Sequence, residues 1–508
     1  MDLSIGKKIL IMSVIVFILG LAARIYTITL KEDLHQDEAL SIILSNYSEY
    51  GWSKLPEENK VFTGKEINQM MFWNNSSVKD MISDVGNLYL YTRDDSHSNL
   101  YYSILRVTFT GIDNFDLKQT IYRGCLINLF AYCLSFFFMF KLLAILFKKS
   151  PAIIPFGLFV AFMNTGAISN VAYLKPYQLQ ELAFVILTYY FVKLLKGDKV
   201  NILKFSSSVA FSFLTGYYSI IYAGILALIL FVKNFDRKYL LKIVGLSILI
   251  TTIFYPGYFL GLVSYRATET VERFSASNFG YSLVGLPYLY FKYIFSLSLL
   301  IYLFYLVVKI FKKKLFVDED LKTVLKLFLI GLVWSIIIMF IAPFKVVRYI
   351  LPMFPIISLV IPYIVVHFEK KLLPIIIISF IFLLNFSVAV EFHKNPNIGR
   401  YIPFISKLEF LKNNKTSDYL FKKDLTKPVF VIRPREEDLK IGKVILLPSI
   451  SSYFENSQKY IFVNSDTKIL LKNFYIISPK TENINFDKKY IKNIQNCNQY
   501  YFCSEIKR

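Results

Sequence analysis

Long apolar stretches recur along this chain and constrain its fold more than any other feature. A helix needs roughly 20 apolar residues to cross about 30 Å of hydrocarbon. The 55% hydrophobic content also exceeds the usual balance of soluble proteins. These features predict a membrane all-α protein, a polytopic bundle of about eleven transmembrane helices. The predicted spans are residues 8–29, 121–147, 152–173, 177–196, 202–216, 217–233, 239–262, 284–311, 322–342, 349–367 and 372–391.

One pair of these spans is the least well defined. The motif "FLTGYYS" falls inside the apolar region 202–233. It predicts either two short crossings or a re-entrant hairpin, and the choice changes the side on which every later segment lies.

Basic residues at alternate span ends predict the orientation. Cytoplasmic loops of membrane proteins carry an excess of Lys and Arg. This rule places the N-terminus in the cytoplasm of a plasma (inner) membrane protein, with residues 31–120 and the C-terminal tail outside. The formal charge of +22 is then explained by lipid headgroups, and no nucleic-acid partner is expected. The clusters are Lys7 and Lys8; Lys141, Lys148 and Lys149; Lys193, Lys196, Lys199 and Lys204; Lys233, Arg237, Lys238 and Lys242; Lys309, Lys312, Lys313 and Lys314; and Lys370 and Lys371.

The start of the chain also resembles a cleaved secretory signal, with a basic end and an apolar centre. Apolar sequence resumes past Arg24, however, and the first loop needs an anchor. An uncleaved first span is therefore the expectation.

Composition shifts predict two domains. Residues 1–391 form the transmembrane domain, in which 31–120 is a large exterior loop with interfacial helices of its own. Residues 392–508 are polar and contain short β-type runs, which predict a small α/β or mostly β exterior domain. Cys497 and Cys503 lie in this tail, where an oxidising compartment would allow a disulfide. Two unrelated thiols are an equally good interpretation.

Acidic candidates for chemistry come from the first exterior loop. Asp37 and Glu38 directly follow the first span, and Asp95 and His97 lie in "YTRDDSHSNLYY". A carboxylate can accept a proton from an attacking hydroxyl, and a second acidic group can tune it. Acidic pairs also bind divalent metals, so Asp37 and Asp95 are candidate metal ligands, although the chemistry requires no cofactor.

Basic candidates come from later loops on the same predicted face. These are Lys175 in "YLKPYQLQE" and Lys345 with Arg348 in "PFKVVRYILPMFP". Lys or Arg can hold a phosphate leaving group. Together with the carboxylates, they predict group transfer from a lipid-linked phosphate donor.

Each candidate also has an ordinary structural interpretation. Asp37 could cap an interfacial helix, and Asp95 could belong to a turn with Asp94. His97 could be a surface histidine. Lys345 and Arg348 could simply reach toward lipid headgroups.

The order of these motifs resembles the GT-C glycosyltransferases, which use polyprenyl-phosphate sugars. "LAARIYTITLKEDLHQDEALS" is similar to their first-span exit, with an Arg-aromatic pair followed by Asp-Glu. "DSHSNLYYSILRVTFTG" is similar to their Asp-x-His signature. "YLKPYQLQELAFVILTYYFVKLLK" resembles their fourth span, and "VVRYILPMFPIISLVI" their late Arg-Tyr-Leu-Leu-Pro span. The resemblance covers roughly residues 15–370.

The resemblance implies roles for the acidic candidates. Asp37 matches the residue that activates the acceptor, with Glu38 its motif partner. Asp95 matches the second acidic position and His97 the motif histidine. Ser98 and Asn99 stand where the family usually has two prolines, which puts the loop shape and the role of His97 in doubt.

The resemblance also implies a reaction. Lys175 and Arg348 match basic positions that face the donor phosphate. The expected activity is an inverting hexosyl or pentosyl transfer from a polyprenyl-phosphate sugar to a lipid, glycan or protein acceptor of the cell envelope. The subgroups most similar to it are the protein mannosyltransferases and the aminoarabinose transferase of lipid A.

Two other functions fit a polytopic membrane protein. A transporter or flippase of lipid-linked sugars would carry ionisable groups near the bilayer midplane, and the predicted spans are nearly free of them. An O-antigen polymerase or ligase would use a diphosphate-linked donor and is typically marked by a large late loop, whereas the large loop here comes first.

Overall fold

The computed structural model gives the chain a helical bundle at one end and a β-sheet at the other. All structural statements below concern the residues that it describes. These are residues 3–29, 31, 34–73, 77–91, 98–112, 115–261, 319–342, 347–363, 419–433, 447–451, 454–465, 467, 469–479, 490–497 and 501–507.

Apolar helices build the bundle. Within the described part of the chain, four helices are long and apolar enough to cross a membrane: Gly6–Thr29, Leu117–Leu146, Tyr177–Leu195 and Lys322–Ile341. The chain is therefore a multi-pass membrane protein, while the predicted number of spans stays a prediction. The predicted spans 284–311 and 372–391 lie outside the described residues. The helices are α1 Leu3–Thr29, α6 Leu117–Leu146, α7 Ile154–Phe162, α8 Thr165–Asn170, α9 Tyr177–Leu195, α10 Ile202–Thr215, α11 Tyr218–Val232, α12 Arg237–Phe254, α13 Tyr258–Gly261, α14 Glu319–Ile341 and α15 Phe354–Ile357.

Two predicted spans are interrupted in the structure. The segment 152–173 is divided into α7 and α8, because the Asn164 side chain accepts from Ala167 N and caps α8. The segment 202–233 is divided between α10 and α11 at Gly216, as "FLTGYYS" predicted. A Cβ at Gly216 would lie 3.1 Å from Gln180 Nε2, so the break allows close packing on α9.

The helix ends show which sides of the bundle coincide. Lys196, just after α9, pairs with Asp320, at the start of α14, at 2.5 Å. The end of α9 and the start of α14 therefore share one side. Consequently the start of α9 and the end of α14 share the opposite side, which we call the site face.

Four short helices are described in the first loop. They are α2 Gln36–Ser45, α3 Gly64–Phe72, α4 Val78–Leu90 and α5 Leu100–Thr108. Helices α4 and α5 are joined by a buried ion pair, in which Arg106 Nε donates to Asp84 Oδ2 at 2.7 Å. The segment with Asp95 and His97 connects these two helices in sequence and lies outside the described residues.

A mixed six-stranded sheet combines the tail with the first loop. The strand order is β1-β3-β2-β4-β6-β5, in which β2 is parallel to β3 and β4 and the other pairs are antiparallel. β1 comes from the first loop, whereas the other strands come from the tail. The strands are β1 Val61–Thr63, β2 Val429–Ile432, β3 Lys459–Val463, β4 Asn473–Pro479, β5 Ile491–Asn496 and β6 Tyr501–Lys507, and a short helix α16 Pro448–Ser451 precedes β3.

The first loop and the tail also share one hydrophobic core. Phe62 and Met71 of the loop lie in the same buried cluster as Phe454 and Tyr460 of the tail. Because this cluster continues into α6 and the start of α9, the first loop and the tail are packed on the bundle through buried apolar contacts.

Gly64 lies where the loop meets the tail, and it tests this packing. A Cβ at Gly64 would lie against the Glu455 carbonyl, with its carbon only 2.8 Å away. We expect Gly64→Ala to lower the free energy of unfolding by about 1–3 kcal/mol, the usual cost of overpacking. Thermal and chemical unfolding of the purified protein would measure it. The control is Gly86→Ala in α4, because an added Cβ there would have no neighbouring atom within 4 Å. An equal loss of unfolding free energy in both variants would contradict the close packing at Gly64.

Candidate active site

The candidate site begins at α2, directly after the first span. His35 caps this helix, because its Nδ1 accepts from Asp37 N at 3.0 Å. The Glu38 carboxylate completes a capping box by accepting from His35 N at 2.8 Å. The capping function that the sequence offered for Asp37 therefore belongs to His35, and the Asp37 side chain points elsewhere.

Asp37 forms an ion pair with a residue 311 positions later in the chain. Its Oδ2 lies 2.6 Å from Arg348 Nη1 and accepts from Tyr173 OH at 3.1 Å. Arg348 Nη1 also donates to Tyr173 OH at 2.9 Å. Three segments converge here: the exit of α1, the approach to α9 and the turn after α14. Each lies on the site face.

The electrostatics of this cluster keep Asp37 ionised. Burial alone would raise the pKa of Asp37, but the Arg348 guanidinium, with smaller contributions from His35 and Lys175, holds it well below its usual range. Burial lowers the pKa of His35 to about 4, although Asp37 opposes this. His35 is thus neutral at pH 7. Its 3.6 Å approach to Asp37 Oδ2 is therefore not an ion pair.

Glu38 points away from Asp37, into the protein. It is fully buried, and its Oε2 accepts from Lys31 Nζ at 3.0 Å, in addition to the His35 amide. Its Oε1 accepts from Leu174 N at 2.8 Å, which ties α2 to the segment before α9. Both carboxylate oxygens are occupied by the protein itself.

Tyrosines and a buried lysine surround the ion pair. Tyr173 stacks on Tyr177 with ring centroids 5.8 Å apart, and Tyr177 contacts Tyr349 edge to face at 6.1 Å. Lys175 is buried, with its Nζ 5.8 Å from the centre of the Tyr102 ring. The site therefore combines one carboxylate, two cations and a wall of aromatic rings.

The structure brings together only some of the residues predicted from the sequence. Asp37 and Arg348 meet directly, and Lys175 lies near enough to affect the Asp37 carboxylate. The predicted site residues Asp95, His97 and Lys345 lie outside the described residues, so their roles stay predictions. In the tail, Cys497 and Cys503 are joined in a disulfide, with Cα atoms 5.7 Å apart.

The predicted metal pair is Asp37 with Asp95. No group of three His, Cys, Asp or Glu side chains comes together among the described residues. The Oδ2 atom of Asp37 faces the Arg348 guanidinium. Because Asp95 lies outside the described residues, this metal pair stays a prediction.

Sequence reasoning missed Tyr173 and the cap His35. Tyr173 stands two positions before the predicted Lys175, but nothing in an isolated tyrosine marks it as a partner of Asp37. His35 stands two positions before Asp37, but histidine is not among the preferred capping residues. An aspartate was the more obvious choice for the cap.

The helix α1 carries a second charged feature, one turn inside the site face. Arg24 is fully buried, donates to the backbone oxygens of Phe162 and Ala167 at 3.0 and 3.1 Å, and lies 3.8 Å from the centre of the Tyr132 ring. Glu181 is buried in α9 and accepts from Ser135 and Gln178. These groups correct the expectation that the spans are nearly free of internal charge.

Comparison with known proteins shows the fold. Over 97% of both chains, the structure matches the crystal structure of ArnT from Cupriavidus metallidurans bound to undecaprenyl phosphate, with a TM-score of 0.50 and 11% sequence identity. The apo structure of the same protein matches 92% of this chain and 96% of that one, with a TM-score of 0.45 and 10% identity. No protein-family model and no curated protein matches the sequence. The resemblance expected from the motifs is thus confirmed at the level of the fold.

Proposed function

We propose that this chain is an integral-membrane glycosyltransferase. It moves a sugar from a polyprenyl-phosphate donor to a lipid, glycan or protein acceptor of the cell envelope. The single observation that carries the proposal is the contact between Asp37 and Arg348 on the site face. It supplies a proton acceptor and a phosphate-binding cation at one place, at the ends of helices that cross the membrane.

The fold supports the class of donor. The matching ArnT structure holds undecaprenyl phosphate, and the match extends over nearly the whole chain. Fold alone does not specify a reaction, because one fold can host several chemistries. The residues of the site face therefore carry the assignment of the reaction, and the fold supports the lipid carrier.

The proposed reaction is a single displacement at the anomeric carbon. The Asp37 carboxylate accepts the proton of an acceptor hydroxyl or amine, whose lone pair forms the new bond to that carbon. The bond from the carbon to the phosphate oxygen breaks, and the polyprenyl phosphate departs with the electron pair. Arg348 and Lys175 stabilise the charge of the departing phosphate. Attack from the face opposite the phosphate inverts the anomeric centre.

The other predicted residues take different places in this proposal. Glu38 is an anchor of α2, because the protein itself uses both of its oxygens. Asp95 and His97 remain candidates for orienting the acceptor, and Lys345 for the phosphate. The site face is exterior to a plasma or inner membrane, as the positive-inside rule predicts, and the N-terminus is cytoplasmic.

The charges inside the bundle do not favour the transporter alternative. Arg24 lies five residues before the end of α1, and Glu181 lies four residues after the start of α9. Both are therefore within about 8 Å of the site-face end of their helices, at 1.5 Å per residue. Transport sites are usually placed near the bilayer midplane.

Donor identity tests the proposal directly. The purified protein, in lipid nanodiscs with an envelope extract as acceptor, is offered the same sugar on undecaprenyl monophosphate or on undecaprenyl diphosphate. We expect release of undecaprenyl phosphate and a glycosylated acceptor, detected by mass spectrometry, only from the monophosphate donor. Turnover of the diphosphate donor alone would assign the chain to the polymerase or ligase class. Movement of the donor between the leaflets of sealed proteoliposomes, without transfer, would indicate a flippase.

A further inference from the structure

The nitrogen atoms of the Arg348 guanidinium differ in their hydrogen bonding. Its Nη1 lies 2.6 Å from Asp37 Oδ2 and 2.9 Å from Tyr173 OH. Its Nε is buried and has no hydrogen-bond partner among the described residues. Buried N–H groups are nearly always paired. An unpaired Nε on a cation whose side chain is 18% exposed therefore suggests an acceptor that the described residues do not provide.

The chemistry of the guanidinium suggests what that acceptor is. Its donors form a rigid planar fork, so one arginine can serve two anions on two different edges. A phosphate carries several oxygens that match this geometry, and hydrogen bonds between ionised groups are among the stronger ones in proteins. The nearby cation of Lys175 further favours an anion at this place, since it already acts on Asp37.

We propose that Arg348 bridges the base and the donor: its Nε edge binds a phosphate oxygen of the polyprenyl phosphate while Nη1 keeps hold of Asp37. The inference rests on the proposed function and adds to it a single residue that couples two substrate sites. Because the positive charge is then shared by two anions, donor binding weakens the hold of Arg348 on Asp37. The carboxylate becomes a better proton acceptor once the donor is present.

The variant Arg348→Lys distinguishes bridging of Asp37 and the donor phosphate from simple attraction by a positive charge. Lysine keeps the positive charge but has one compact ammonium, which Asp37 would occupy. We therefore expect Arg348→Lys to weaken binding of undecaprenyl phosphate about tenfold or more, because the second edge is lost. Adding Asp37→Asn frees the ammonium, so the double variant should regain affinity to within about threefold of the wild type, a difference near 0.6 kcal/mol.

The experiment titrates undecaprenyl phosphate into the purified full-length protein in detergent and measures binding by native mass spectrometry. Asp37→Asn alone should bind slightly more tightly than the wild type, since it removes a competing anion. Arg433→Lys is the matched control, because it makes the same change at an arginine that pairs with Glu58 at 3.3 Å between the tail and the first loop. Its affinity for undecaprenyl phosphate should stay within about twofold of the wild type. Thermal unfolding confirms that each variant is folded.

The outcomes distinguish this inference from the proposed function. Wild-type affinity in Arg348→Lys, or a double variant no tighter than Arg348→Lys alone, would overturn the bridge while leaving the donor class intact. If the wild-type protein shows no saturable binding of undecaprenyl phosphate, the donor class itself is wrong, and the proposed function falls with it.

Discussion

Asp37→Asn should lower the rate of sugar transfer by about 10²–10⁴-fold, the usual contribution of a positioned proton acceptor. Asparagine has nearly the same shape as aspartate and can still contact Tyr173 and Arg348, but it does not accept the proton of the acceptor. The measurement is the initial rate of glycosylated product formed by the purified protein, with undecaprenyl phosphate binding measured in parallel. Binding should persist, because the substitution removes no cation.

Glu57→Gln provides the matched control for this variant. Glu57 lies in the same loop and is largely exposed, and among the described residues its side chain forms a surface pair with Lys60 at 3.3 Å. Its loss should leave the transfer rate within about twofold of the wild type, because surface pairs contribute little. Equal rates for Asp37→Asn and the wild type, with both proteins folded, would exclude Asp37 as the base.

The pKa of Asp37 also determines how the stabilisation from the Asp37–Arg348 ion pair depends on pH. Arg348 keeps the pKa of Asp37 below that of an unfolded aspartate, which is about 3.9. The stabilisation from the pair is therefore complete above pH ~4 and is lost as the pH falls through the lower folded value. Between pH 5 and 8 the pair does not titrate. Any change of rate in that range must come from another group.

The placement of the site residues at the ends of membrane spans could be predicted from the sequence. Asp37 and Arg348 stand at span ends, and hydrophobic length with charge asymmetry is enough to place both on one face. That they touch at 2.6 Å could not be predicted, because it depends on how α1, α9 and α14 pack. Sequence patterns specify faces and ends of helices, whereas contacts between distant helices depend on side-chain packing.

In the fold, too, some features could be predicted from the sequence and others could not. The break at Gly216 was visible as a Gly-Tyr-Tyr motif, since glycine interrupts apolar helices. The break at Asn164 was missed, although Gly166 stands two residues later, because the break rests on the Asn164 side chain capping α8. The strand β1 was also missed. With only three residues, Val61–Thr63 is too short for a periodic signal, and it is stabilised by pairing with β3, about 400 residues later.

Glu38 illustrates how a motif neighbour can have a different role from its partner. The sequence places it beside Asp37 and offers two carboxylates for one site. In the structure its partners include Lys31, the His35 amide and the Leu174 amide, the last 136 residues away. A buried carboxylate whose two oxygens both accept from the protein holds elements together. Its distance in sequence from Leu174 hid this role.

We therefore expect Glu38→Ala to destabilise the protein by about 3–5 kcal/mol, the cost of breaking a buried ion pair by removing one partner. Lys31 is only 8% exposed and would be left as an uncompensated charge, and the Leu174 amide would lose its acceptor. Since α2 then loses its link to α9, Asp37 would also lose its position. The measurement is unfolding of the purified protein in detergent, with a shifted midpoint and reduced yield expected.

Glu66→Ala is the matched control, because it removes the same kind of residue from a similar setting. Glu66 completes the capping box of α3 with Thr63, but it lies on the surface and has no buried lysine. Its unfolding midpoint should change far less than that of Glu38→Ala. A stable, well-folded Glu38→Ala protein that binds undecaprenyl phosphate normally but transfers no sugar would contradict the anchoring role. Glu38 would then act with Asp37 in the chemistry, because only the reaction would have been lost.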